Sequence, residues 1–211
     1  MESLVRGVIR IMVILLALTI HEFAHGFVAF LKGDHTAKDA GRLTLNPISH
    51  LDVLGALMLM FGPFGWAKPV PINPYNFKNP RADIFFVAIA GPASNLFLAF
   101  ICGIMVRMIN PYILKESILM IFAYLLIINC GLGIFNLLPL PPLDGSRVLA
   151  SLLPAKYAFK FEAINPIVSI VGLLCIIFTP LSSIILFPPI DFFLRIFSGR
   201  GLEFWWIYLQ H

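Results

Sequence analysis

The sequence predicts an all-α, polytopic membrane protein of about four transmembrane helices, with a small membrane-associated β-hairpin or sheet after the first. Three observations carry that prediction. The 211 residues are 59% hydrophobic and only 12% charged, with mean hydropathy +0.91, whereas soluble chains carry about 25% charged residues. Apolar runs of spanning length recur at about 4–31, 84–106, 117–138 and 163–189. Between the first two lies a more polar stretch, alternating in character and broken by Pro and Gly. A polytopic bundle of this length leaves little room for a separate soluble domain, so 1–211 reads as one membrane-embedded domain. The net charge of +4 marks membrane flanks and the cytoplasmic side. The lipid bilayer, and no nucleic acid, is therefore the expected environment.

The first run follows Arg6 and Arg10, as a signal peptide would. It is too long for one, no small-residue cleavage site follows, and it is read as retained. No charge occurs from Ile11 to Ile20, and then comes His21-Glu22-Phe23-Ala24-His25. On a helix His21 and His25 project from one face, a turn apart, where two imidazoles can bind one zinc. Glu22 points to an adjacent direction, suited to taking a proton from a water that the metal activates. The run ends at Lys32-Gly33-Asp34, a polar helix stop. The two histidines thus lie in the second half of the span, below the membrane surface.

In the stretch from 34 to 83, Gly41 to Pro47 alternates as a strand and breaks at Asn46-Pro47. Ala67 to Pro74 is a second extended piece, which its prolines keep from being helical. Between them Leu51 to Phe64 is apolar but short, with Gly62 and Pro63 inside, and suits a surface or re-entrant segment. Such strands invite two readings of equal weight: an exposed edge that holds an extended substrate peptide, or a structural hairpin capping the bundle. Asp34, Asp39, Asp52, His35 and His50 are read as loop residues close to water.

The second span contains Ala90-Gly-Pro-Ala-Ser-Asn95. Gly91, Ala93 and Ser94 allow close helix approach. Asn95 needs a partner at membrane depth, either across helices or at the oxyanion of a scissile carbonyl. The third span runs into Asn136-Leu-Leu-Pro-Leu-Pro-Pro-Leu-Asp-Gly145, where three prolines deliver Asp144 on a rigid turn and Gly145 permits an unusual backbone angle. Pairing with Arg147 is the structural alternative for Asp144. The fourth run is interrupted by Pro166 and Pro180, which predicts a kinked or short span. The tail 191–211 mixes Phe192, Phe193, Trp205, Trp206 and Tyr208 with Arg195 and Arg200, as an interfacial helix does. Cys102, Cys130 and Cys175 are scattered through apolar runs and suggest neither disulfides nor a thiolate site.

Four spans put both termini on one side. Basic residues favour the loops after spans one and three, including Lys32, Lys38, Arg42, Lys68, Arg147, Lys156 and Lys160. That places the mouth of the site towards the cytoplasm, in the cell membrane. Catalytic zinc keeps three protein ligands and an open position. Asp144 is the carboxylate set rigidly at a span end, so the expected ligands of one zinc per chain are His21, His25 and Asp144, with Glu22 as general base. Zinc would activate water as nucleophile while Glu22 takes its proton and passes it to the leaving amine. A transporter or metal carrier also places His and Asp at membrane depth, but gives Glu22 no task. A scaffold with structural zinc needs a fourth ligand, and none is well placed.

These residues resemble the site-2 proteases, intramembrane zinc metalloproteases of the M50 peptidase group. The resemblance runs from His21-Glu-Phe-Ala-His25 through Asn46-Pro-Ile-Ser-His-Leu-Asp52 and Ala90-Gly-Pro-Ala-Ser-Asn95 to Asn136-Leu-Leu-Pro-Leu-Pro-Pro-Leu-Asp-Gly145. It implies zinc on His21, His25 and Asp144, Glu22 as acid/base, and a polar assisting role for Asn95. It further implies a three-helix catalytic core and regulated cleavage of transmembrane or membrane-proximal segments of other proteins. Val53 stands where many members carry Pro, and Ser146 where others repeat Gly; neither removes a ligand or the base. The sequence is expected to be a minimal member, without a PDZ-like insertion or a nucleotide-sensing domain.

Overall fold

An apolar run without proline has no reason to break, and the first run forms one helix, α1 (Glu2–Leu31). The computed structural model describes residues 2–55, 66–108, 116–201 and 203–205. Along α1 a buried stripe recurs every fourth position, at Val13, Ala17, His21, His25 and Ala29, with Thr19 and Gly26 buried beside it. The opposite face exposes Val8, Met12, Leu16, Phe27 and Leu31, an apolar surface suited to lipid. Thr19 returns its hydroxyl to the Leu15 carbonyl at 2.7 Å, so it adds no unsatisfied group at depth. The helix stops at Gly33, whose φ of 101° lies in the region glycine tolerates. The stop folds the chain back and lets the Asp34 N–H reach the Ala29 carbonyl at 2.9 Å.

The chain divides into two compact units, Met1–Ser94 and Asn95–His211. In the first, a short helix α2 (Thr36–Asp39) follows α1. The expected β-hairpin is not formed: no strand occurs among the described residues, and one isolated bridge, Leu51 to Ala67, is the only trace of pairing there. The reason lies in where the backbone donors go. Pro69, Pro71 and Pro74 have none. The Lys68 N–H bonds the His50 carbonyl, while those of Val70 and Asn73 bond the side chains of Glu22 and Asp34. Arg42 donates from Nη2 to the Lys68 carbonyl at 2.7 Å, so a guanidinium bridges the two pieces where a ladder was expected. Asn46, instead of continuing a strand, accepts the Ile48 N–H at 3.1 Å and starts a single 3₁₀ turn. Most of the short apolar segment expected at 51–64 lies outside the described residues.

Residues 66–77 therefore form an irregular strap, closed by a second 3₁₀ turn (Pro74–Asn76) and by Phe77, which packs with Ala29 and Val87. Asp34, expected near water, is fully buried. Burial alone would raise its pKa. Hydrogen bonds from Thr36, Asn73 and Asn76 outweigh this and hold it below the ordinary value of 3.8. A depressed carboxylate contributes stability above its unfolded pKa, and that stability is lost as pH falls through the folded value. The thermal midpoint should therefore fall as pH drops below about 4, and this drop should be smaller in Asp34→Asn.

Helix α3 (Pro80–Met108) starts on a proline and begins in the first unit. There Asp83 accepts the Asn79 N–H and pairs with Lys32 at 3.2 Å. The second unit contains the rest of α3, then α4 (Glu116–Asn136), α5 (Asp144–Leu152), α6 (Ala155–Glu162), α7 (Pro166–Phe178), α8 (Leu181–Ile185) and α9 (Phe187–Ser198). Its core joins Ala99 and Cys102 of α3 to Ala123, Leu126 and Cys130 of α4 and to Leu194 of α9. Trp205, expected at the headgroup boundary, is buried in the same core and donates its indole N–H to Ser198 Oγ. Trp206 and Tyr208 lie outside the described residues.

Among the described residues three helices are long and apolar enough to cross a bilayer: Val5–Leu31, Pro80–Met108 and Ile118–Asn136. Where the fourth span was expected, the chain breaks at the prolines into α7, α8 and α9. Helices α6 and α7 meet at 79° and make a fourth span only if that bent pair is counted as one. The protein is an integral membrane protein built from helices alone in its described parts.

Candidate metal centre

His21 and His25 fall on the buried stripe of α1, at 4% and 7% exposure. Their Nε2 atoms lie 3.0 Å apart. Tetrahedral zinc with Zn–N bonds of about 2.0–2.1 Å separates two nitrogens by about 3.3 Å, so the pair fits the group with little movement. His25 Nδ1 lies 2.7 Å from the Val87 carbonyl on α3. A carbonyl only accepts, so Nδ1 carries the hydrogen and Nε2 presents its lone pair to a metal.

The wall over this pair is Gly91 of α3. A Cβ built there would stand 2.4 Å from His25 Nε2 and 2.6 Å from His21 Nε2. The close approach expected of the Ala90–Asn95 stretch is thus made over the imidazoles themselves. Gly91→Ala must push them aside, and zinc affinity should fall by about 10–100-fold, as when an orienting partner is lost. Zinc titration of the purified variant in competition with a chelator measures this.

Glu22 is half-buried and its Oε2 accepts the Val70 N–H at 2.8 Å. One turn further on, Gly26 leaves room for the Val70 side chain, whose Cγ1 would lie 3.2 Å from a Cβ at that position. Glu22 thus does not hang loose beside the histidines. Val70 holds it from the Pro69-Val70-Pro71 part of the strap.

In the second unit, Asp144 is half-buried and is the first residue of α5. The neighbouring Gly145 does not take a left-handed angle. It is required for closeness instead, because a Cβ there would meet the Leu137 carbonyl oxygen at 2.2 Å. Arg147 is exposed. Asn95 is fully buried and donates from Nδ2 to Asn129 Oδ1 at 2.8 Å; Asn129 in turn donates to the Leu125 carbonyl. This is the interhelical use of an asparagine at depth. Asn95→Leu should lower the thermal midpoint, because it leaves the buried Asn129 amide short of a partner at a cost of about 1–3 kcal/mol.

Two residues near the metal motif escaped the sequence reading. Asp34 anchors the strap, and the signal for it was Asp34-His-Thr36, the spacing of a local side-chain turn. His50 is 2% exposed instead of solvated; its Nε2 faces the Thr44 carbonyl at 2.8 Å, and its Nδ1 has no hydrogen-bond partner among the described residues.

Comparison with known proteins agrees with this chemistry. The family model described as "Peptidase family M50" matches residues 103–179. "Putative zinc metalloprotease YwhC" of Bacillus subtilis (strain 168) is 40% identical over 199 residues, 90% of this chain and 90% of its own length. "Putative zinc metalloprotease Rip2" of Mycolicibacterium smegmatis is 32% identical over 143 residues, covering 64% of this chain and 53% of its own. No solved structure matches.

Proposed function

Because the chain belongs to peptidase family M50, a site-2-type zinc metallopeptidase of the membrane, we propose that it cuts peptide bonds within or beside transmembrane segments of other membrane proteins. The observation that carries this is the buried His21–His25 pair at 3.0 Å on a helix of membrane length, with Glu22 between the two in sequence. His21, His25 and Asp144 hold one zinc per chain in this reading. Zinc, when bound, supplies a Lewis acid that makes water nucleophilic near neutral pH and polarises the scissile carbonyl. Glu22 takes the proton of the attacking water and returns it to the leaving amine, so one carboxylate serves as base and then acid. Asn95 is the candidate donor to the oxyanion, in addition to its bond to Asn129. The whole chain acts as one membrane-embedded domain, in the cell membrane with the site opening to the cytoplasm. Its substrate is another membrane protein, cut in the course of regulated intramembrane proteolysis.

Purified protein should cut a membrane-spanning reporter peptide, lose that activity to a zinc chelator and regain it on adding zinc. The same protein in liposomes should pass no zinc. Metal flux without proteolysis would replace this reading with that of a carrier, in which Glu22 has no assigned task.

A further inference from the structure

Three proline-free amides of the strap serve the rest of the first unit, and two of them end on carboxylates attached to α1. Val70 N–H bonds Glu22 Oε2 at 2.8 Å, and Asn73 N–H bonds Asp34 Oδ2 at 2.7 Å. The other oxygen of Asp34 takes the Asn76 side-chain amide at 2.7 Å, together with the backbone N–H and hydroxyl of Thr36. Four donors on a fully buried carboxylate make a rigid anchor.

The spacing of the two anchors matches. Asp34 is folded back beside Ala29, and seven residues of helix from Glu22 to Ala29 rise about 10 Å. Three residues of extended chain from Val70 to Asn73 reach about 10 Å. Between them Pro71 stiffens the link, and Pro69 stiffens the approach. The position of Asn73 is therefore passed on to Val70 with little slack. Along the strap the Lys68, Val70 and Asn73 amides are engaged within the first unit, and 69, 71 and 74 are prolines.

We propose that Asp34 is a positioning residue for Glu22: it anchors the strap at Asn73 and so keeps the Val70 N–H on the glutamate. The proposal rests on the peptidase reading for its effect on turnover, but not for the coupling itself. The test uses the full chain in phosphatidylcholine/phosphatidylglycerol nanodiscs, as wild type, Asp34→Ala and the volume-conserving Asp34→Asn. Hydrogen exchange followed by mass spectrometry reads the Val70 amide, which Asp34→Ala should speed by about tenfold or more. On the reporter peptide kcat should fall about 10–100-fold, with KM and zinc content unchanged, as for a misplaced catalytic group. Asp34→Asn should shift both in the same direction by less, and it decides the matter if the alanine variant does not fold. An unchanged Val70 amide overturns the proposal. So does a faster amide with unchanged kcat, or a loss confined to KM or zinc content. If the wild type cuts nothing, the peptidase reading fails, while the exchange rates still decide whether Asp34 holds Val70.

Discussion

Glu22→Gln should remove cleavage of a membrane-spanning reporter by about 10²–10⁴-fold while leaving zinc in place. The substitution keeps the size of the side chain and an oxygen that can still accept the Val70 N–H, so the strap should stay where it is. It removes the ability to take a proton at neutral pH. His21 and His25, on the buried face of α1, keep their Nε2 atoms 3.0 Å apart. Metal analysis and cleavage measured on one preparation check this. Retained zinc with lost cleavage is the expected outcome. Equal cleavage by both proteins would remove Glu22 from the chemistry, and lost zinc would make it a ligand.

The second large effect is on the metal. Asp144→Asn should release zinc on dialysis, and His25→Ala should do the same. Each takes one of the three proposed ligands, and the loss of affinity should exceed the about 10–100-fold that follows removal of an outer partner. Asparagine preserves the volume and the N-terminal place in α5, so the fold should survive and the thermal midpoint should shift little. The His25 variant also frees the Val87 carbonyl that Nδ1 now bonds, so a lower midpoint is expected there. Zinc that stays on Asp144→Asn would require a different third ligand. Zinc that stays on His25→Ala would dismiss the pair as a metal site.

Much of the architecture was legible because the bilayer imposes its own simple rule. Runs of about 20 apolar residues must be helical, since a single segment satisfies its own backbone in lipid only as a helix, and α1, α3 and α4 follow the runs that predicted them. The histidine pair was legible for the same reason: i and i+4 share a helix face whatever surrounds them. The fourth run was harder to read. Pro166 and Pro180 were seen to interrupt it, but composition does not say whether the pieces realign, and here α6 and α7 bend by 79°.

The polar stretch after α1 was misread for a physical reason. Alternation in Gly41–Pro47 and extension in Ala67–Pro74 are necessary for a hairpin, but pairing also needs donors that are not claimed elsewhere. Glu22 and Asp34, distant in sequence, claim those of Val70 and Asn73. Glycine's backbone freedom misled in a similar way at Gly145, where steric contact with Leu137 and not an unusual backbone angle explains the glycine. Local pattern by itself determined the membrane class, the first three spans and the shared face of His21 and His25 on α1, because these depend on residues a few positions apart. Only the tertiary structure decided that the strap is irregular, that Asp34 is buried under four donors and that Gly91 covers the imidazoles. Each of those depends on which hydrogen-bonding group or Cβ-free surface arrives from tens of residues away.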